Sequence, residues 1–270
     1  MASGSGRVWD ASAVLAASNE WFWVPEGAPH VTTDEYVVVA YPEYFLTPTS
    51  ARVLGSDRDA TELVDEIGAV ARGWGRERLW WRVSEQTRPS GLEPELLSRG
   101  ARLVDRMDVL ALPLGGGLPD LGVPGDVEVR RVTDEQTVRD AILIGNDAFG
   151  GNEPTDDQVA AALIEVERGL VDDLVGRWVA YVEGHPAGTG GYGLVGDVCR
   201  LWGGGTHSSF RGRGAYRAVL DTRLRTARAA GATLGLTHGV VDTSSPILRR
   251  TGFARYGEER TLVLDLPSPS

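Results

Sequence analysis

Three blocks of this sequence recur, in the same order, in its two halves. "LAASNEWF" at 15–22 is echoed by "ILIGNDAF" at 142–149, with Asn19 against Asn146, Glu20 against Asp147 and Phe22 against Phe149. "AVARGWG" at 69–75 is echoed by "RTARAAG" at 225–231. "EPELLSRGARLVDRMDVLAL" at 93–112 is echoed by "SPILRRTGFARYGEERTLVL" at 245–264, sharing a Pro-x-Leu-x-x-x-Gly spacing. A chain that repeats itself this way is expected to build one supersecondary plan twice. Between the halves lies "LGGGLPDLGVPGD" at 114–126, rich in glycine and proline with no sustained period, which reads as a linker. The division expected is therefore 1–114, a linker at 115–126, and 127–270.

The second half carries the clearer pattern. "VEVRRVT" at 127–133 reads as a strand, followed by helices over 134–149 and 155–170. Thr155 stands where a cap is needed, and Asp156 and Asp157 suit the positive end of the helix dipole. "RWVAYVE" at 177–183 alternates as a strand, "GHP" turns the chain, and "VCRLWGGGT" ends a third strand at Thr206. A helix over about 213–230, a strand in "ATLGLTHGV", a short helix in "SSPILRRTG" and a last strand in "ERTLVLDL" complete the half. The order is mixed α/β, with consecutive hairpin strands before a long crossover helix.

That crossover helix begins oddly. "SSFRGRGAYRAVLD" at 208–221 sets Gly212 and Gly214, which weaken helices, beside Arg211 and Arg213, which the positive end of the dipole repels. An anion makes sense of it. Unpaired N–H groups at a helix start attract negative charge, glycines let the main chain approach oxygens closely, and arginines add charge-assisted contacts. The segment is not a P-loop, because no Gly-Lys-Ser/Thr follows the glycines. "GYGLVG" at 191–196 is formally G-x-G-x-x-G, but strand-like "DVCRLW" follows it instead of a helix, so it reads as a hairpin and a dinucleotide fold is not supported.

Composition narrows the function classes. The net charge of −11 argues against a general nucleic-acid binder. Every one of the 27 basic residues is arginine, which excludes a lysine nucleophile or Schiff base. The single cysteine, Cys199, allows no intrachain disulfide, and the four histidines lack metal-ligand spacing, so no metal is expected. No run approaches the roughly 18 apolar residues of a membrane span, and the start of the chain lacks a signal-peptide core. A cytoplasmic protein with no membrane or nucleic-acid partner is expected.

Strand "CRLWGGGT", loop "HSSFRGRGAY", helix "RAVLDTRLRTARAAG", strand "ATLGLTHG" and closing "SPILRRTGF" together resemble the GCN5-related N-acetyltransferase family. The resemblance covers roughly 127–266, and Arg211 and Gly214 match the family's Arg/Gln-x-x-Gly-x-Gly/Ala signature, with Tyr216 where a small residue is usual. It implies an α/β mixed-sheet acetyltransferase fold, here in two tandem copies, and acetyl-CoA as co-substrate. Arg211, Gly212, Arg213, Gly214, Ala215 and Tyr216 would hold the coenzyme A pyrophosphate, and Gly204, Gly205 and Thr206 the pantetheine arm and acetyl group. The matching stretch of the first half, "SARVLGSDRDATELVDEI", lacks Gly-x-Gly and puts Asp57 and Asp59 at the helix start, so that copy reads as degenerate.

The resemblance further implies direct acetyl transfer to a primary amine of a small molecule or peptide. His238 is the candidate base, its competing role being a hydrogen-bonded core histidine; His207 is a weaker candidate. Leu248 stands where the family often has a tyrosine acid, and Val241 where an asparagine is common. Ser244 or Ser245 would touch the coenzyme or cap a helix. The departure at Leu248 also keeps open a non-catalytic coenzyme A-binding regulatory or scaffold protein.

Overall fold

The computed structural model describes residues 8–42, 45 and 47–266; the first seven residues of the stretch read for a leader lie outside them. The first half runs α1 (Ala11–Asn19), β1 (His30–Thr32), β2 (Tyr36–Ala40), β3 (Thr49–Val53), α2 (Ala60–Gly73), β4 (Arg78–Ser84), α3 (Leu92–Ser98) and β5 (Arg102–Pro113). The second runs β6 (Val127–Arg131), α4 (Glu135–Phe149), α5 (Asp156–Asp172), β7 (Val175–Val182), β8 (His185–Val195), β9 (Val198–Thr206), α6 (Ala215–Ala229), β10 (Leu234–Val240), α7 (Ser244–Arg250) and β11 (Ala254–Asp265). From α1 and α4 onward the two orders coincide, except that α5 has no counterpart in the first half. The recurrent sequence blocks fall on α1 and α4, on the ends of α2 and α6, and on the final helix–strand pairs.

Two compact units result, and they are not the contiguous halves. The N-terminal unit comprises Asp10–Leu110, His238–Arg249 and the chain from Arg255; the C-terminal unit comprises Ala111–Thr237 and Arg250–Ala254, with Trp9. The cause is the path of β11. It pairs antiparallel with β4 from Glu259↔Ser84 to Asp265↔Arg78, between β4 and β5 of the first half. Alternation along β11 then puts Leu262 and Leu264 into the core of that unit with Leu63, Ile67, Leu79 and Trp81. A ladder of that length fixes the strand against slippage.

In the C-terminal unit the strand order is β10-β9-β8-β7-β6, antiparallel except for the β9–β10 pair. Thr155 caps α5 in a capping box with Gln158, and Asp134 caps α4 in the same way with Thr137. The linker residues 117–124 form neither helix nor strand. Ala215 and Val219 on α6 pack against Ala180, Val182 and Ala187, which seats the start of the helix on the sheet. Two irregularities of this sheet position the candidate site. The β9–β10 ladder stops at Leu236↔Arg200, and β9 bulges opposite Gly190 of β8, with Gly203 at φ +58°.

Candidate functional site

The bulge is where β9 changes partners. Before it, Trp202 pairs with Gly191; after it, Gly205 pairs with Thr189 and Thr206 with Gly188. Two residues of β9, Gly203 and Gly204, therefore oppose Gly190 alone, and the left-handed φ of Gly203 is one that a residue with a Cβ rarely adopts. On the side away from β8, Thr237 Oγ1 donates to Leu201 O at 3.0 Å, and past that point β9 has no strand partner among the described residues of the unit. An extended ligand with amide groups could pair with this free edge as an added strand would. Gly204, Gly205 and Thr206 all lie along it.

At the far end of β9 the chain makes a turn of 3₁₀ helix at Ser208–Phe210 and enters α6 through Gly214 at φ +85°. No side chain caps α6. The amides of Gly214, Ala215, Tyr216 and Arg217 therefore lack intrahelical acceptors, while Ala218 N already reaches Gly214 O at 3.0 Å. Gly212 is also left-handed, at φ +79°. Any Cβ at Gly214 would lie 2.5 Å from Pro124 Cδ of the linker, so glycine is required there twice over. Residues 211–216 thus form a cluster of main-chain donors with a helix dipole behind it, a fit to a diphosphate. The first-half counterpart is closed: the Asp59 carboxylate accepts from Thr61 N at 2.8 Å and caps α2.

The two loop arginines differ. Arg213 is held by Glu183, at 2.6 and 3.2 Å, in an exposed pair that an incoming anion can exchange. Arg211 is exposed, with the Asp147 carboxylate as its charged neighbour. Asp147 shapes the loop: its oxygens accept from Ser208 N at 2.6 Å and Ser208 Oγ at 2.9 Å, which holds its carboxyl below the usual range. His207 Nδ1 accepts from Ser209 N at 3.3 Å and its Nε2 lies 3.8 Å from Asp147, so this histidine organises the turn. Asp147 and Glu183 were not singled out from sequence as site residues, although Asp147 had surfaced in the internal echo opposite Glu20.

Beneath the bulge sits a buried cation. Arg223 on α6 is 2% exposed and has no carboxylate partner among the described residues. Its Nη1 donates to Gly191 O at 3.0 Å and Trp202 O at 3.4 Å, so it grips the carbonyls of the last pair before the irregularity. Burial pulls the guanidinium down, opposed by Tyr216 and Cys199; the Tyr216 phenol is in turn pushed up by burial, against the pull of Arg223. Tyr216 therefore packs under Gly204, where a Cβ would lie 3.1 Å from its Cε2. The run "GTGGYG" is a packing device: Gly188 admits Ala215, Gly190 the guanidinium of Arg223, and Gly191 the indole of Trp202.

His238 belongs to the N-terminal unit, one residue past Thr237 on β10. Its Nε2 lies 2.8 Å from Ser18 Oγ and 3.3 Å from Glu259 Oε1, and the ring packs against Trp21 at 4.9 Å. Glu259 is buried and also accepts from Arg52 at 2.6 Å. Burial pushes its carboxyl up, but His238 and Arg52 outweigh that and hold it well below the usual range. The carboxylate favours the proton on Nε2, leaving Nδ1 as the basic atom. Ser244 Oγ accepts from Val240 N at 2.8 Å, Ser245 Oγ donates to Asp108 at 2.5 Å, and Leu248 is buried, so none of these three side chains is free for a coenzyme. No group of three or more His, Cys, Asp or Glu able to hold a metal occurs among the described residues, and no helix there is long and apolar enough to cross a membrane.

The description of the acetyltransferase (GNAT) family matches residues 146–247, from the end of α4 through α7. A GCN5-related N-acetyltransferase from Kribbella flavida is similar over 98% of this chain and 97% of its own, at 20% identity and a TM-score of 0.67. Another from Sphaerobacter thermophilus is similar over 91% and 84%, at 20% identity and 0.65. A tandem GNAT protein from the clavulanic acid biosynthesis pathway is similar over 95% and 88%, at 16% identity and 0.59. No curated protein matches the sequence. Residues 146–247 thus match the acetyltransferase (GNAT) family, and the chain shares the mixed α/β fold of GCN5-related N-acetyltransferases, a tandem GNAT protein among them.

Proposed function

We propose that this protein is an acetyl-CoA-dependent N-acetyltransferase that moves the acetyl group directly to a primary amine of a small molecule or peptide. The observation that carries the reading is the uncapped, glycine-entered start of α6, at the end of a strand whose outer edge has no strand partner past Leu201 among the described residues of its unit. Residues 211–216 would bind the diphosphate through main-chain amides, with Arg211 and Arg213 adding charge once Glu183 is displaced. The edge from Gly204 to Thr206 would pair with the pantetheine amides. When bound, acetyl-CoA supplies a thioester carbonyl, and amides of the bulged strand would polarise it. An alkylamine is protonated near neutral pH, so a base must take its proton. His238 is the proposed base, accepting at Nδ1 while Glu259 and Ser18 hold the other nitrogen.

Buried Leu248, where the family often has tyrosine, favours a second reading, in which the same cradle binds coenzyme A without turnover. One experiment tests both: calorimetry with acetyl-CoA, followed by thiol release with a broad panel of amines. Binding with release supports the transferase. Binding without release at any pH supports the regulator, and no binding in a folded protein overturns both. His238→Ala should keep acetyl-CoA affinity and lose roughly 100-fold or more in kcat.

A further inference from the structure

The face of the sheet opposite Arg223 carries two exposed aromatic side chains, one on each side of the bulge. Residues 189 and 191 of β8 point to the same face, so their partners Gly205 and Trp202 do too, although two residues lie between them on β9 where one lies between theirs on β8. Trp202 is 38% exposed, and its indole lies flat over Gly191: a Cβ there would fall 2.3 to 2.5 Å from three of its ring atoms. At the other end, a Cβ on Gly205 would meet Ala148 and the Phe149 ring at 2.9 and 3.5 Å, and Phe149 is 52% exposed. Between them Gly203 has open space around its Cα, with no atom within 4 Å of a Cβ placed there. Two partly exposed aromatic side chains beside a glycine with open space offer apolar surface on which a ligand ring can stack.

Charge on the same face narrows what that is. Gly191 pairs with Trp202 on one side and with Arg177 on the other, in one row across three strands. Arg177 donates to Thr189 Oγ1 at 3.1 Å and to Ala141 O at 2.9 Å, and burial alone draws its guanidinium down to about 10. A half-buried cation with no carboxylate partner among the described residues repels any ammonium that stays charged beside it. It disfavours a polyamine or a basic peptide and favours an acceptor with one amine and an apolar body.

We propose that Trp202 and Phe149 form the two walls of the acceptor subsite, and that the acceptor is an arylalkylamine whose ring stacks between them while its amine reaches the bulge at Gly203. This rests on the transferase reading, because the bulge is where that reading places the acetyl carbonyl. Ring stacking supplies binding to the acceptor and none to the coenzyme.

The test uses the intact protein with 2-phenylethylamine, spermidine and a lysine-containing peptide as acceptors, and calorimetry with acetyl-CoA run beside the kinetics. The expected kcat/KM for 2-phenylethylamine exceeds that for spermidine by roughly 100-fold. Trp202→Ala and Phe149→Ala should each raise KM for 2-phenylethylamine roughly tenfold and leave acetyl-CoA affinity unchanged, and Trp202→Phe should keep most of the wild-type KM. Preference for spermidine or the peptide overturns the inference, as does an unchanged KM in both alanine variants. A protein that binds acetyl-CoA but does not acetylate 2-phenylethylamine also overturns it, leaving the coenzyme site intact. Failure of the wild-type protein to bind acetyl-CoA instead overturns the transferase reading, and this inference with it.

Discussion

Gly190 and Gly191 are neighbours on β8 that face opposite ways, and replacing each with alanine separates what lies on the two faces. At Gly190 the new Cβ would lie 2.7 Å from both Cζ and Nη1 of Arg223. That guanidinium is 2% exposed and has nowhere to go, so it must abandon the carbonyls of Gly191 and Trp202. Overpacking costs about 1–3 kcal/mol, and each stranded carbonyl about 1–3 kcal/mol more. The sum is roughly 3–9 kcal/mol. At Gly191 the clash is closer, 2.3 Å to Trp202 Cζ2, but the indole is already 38% exposed and can swing outward for about 1 kcal/mol. Thermal unfolding followed by circular dichroism reads the difference. Gly190→Ala should lower the Tm by roughly 6–30 °C and Gly191→Ala by roughly 2–4 °C. The nearer clash is thus expected to be the cheaper one. A larger loss in Gly191→Ala, or no loss in Gly190→Ala, would refute the claim that Arg223 is locked beneath the bulge.

Two further outcomes follow from buried groups away from the loop. Cys199 is fully buried, and burial pushes its thiol up to about 12, with Arg223 opposing; iodoacetamide should leave it unlabelled in the native protein and modify it only in denaturant. Glu259 is held below the usual carboxylate range in the folded state, so its contribution is complete above the unfolded carboxylate value near 4.5 and disappears as pH falls through the lower folded value. Glu259→Gln should cost about 3 kcal/mol near neutral pH by stranding Arg52, and should flatten the loss of stability in acid; an unchanged acid titration of unfolding would contradict the Arg52–Glu259–His238 network.

Local chemistry explains why much of the architecture can be read from the chain. The duplication, the Thr155 cap, the strand ending at Thr206 and the glycine-entered helix are set by residues close in sequence, and each appears where propensity and capping put it. The destination of β11 is different. "ERTLVLDL" alternates as any half-buried strand does, and nothing within it names β4, some 180 residues earlier, as its partner. The same limit hid the roles of several side chains. Arg223 lies in an amphipathic helix pattern that looks like solvent-exposed charge, and only the glycine at 190 admits it to the core. "GYGLVG" matches a nucleotide fingerprint in letters but serves to seat Trp202 and to close a hairpin. Asp147 was visible only as one half of a weak echo, because its work, holding Ser208, spans 61 positions.

The central claim, that main-chain amides at the start of α6 grip a diphosphate, is tested most directly without any mutation. Calorimetry on the wild-type protein should compare coenzyme A with pantetheine, which keeps the arm that would lie on β9 and lacks the diphosphate. The account predicts coenzyme A binding at least roughly 100-fold tighter, weakening as salt is raised. Equal affinities for the two, or no heat with coenzyme A, would contradict it.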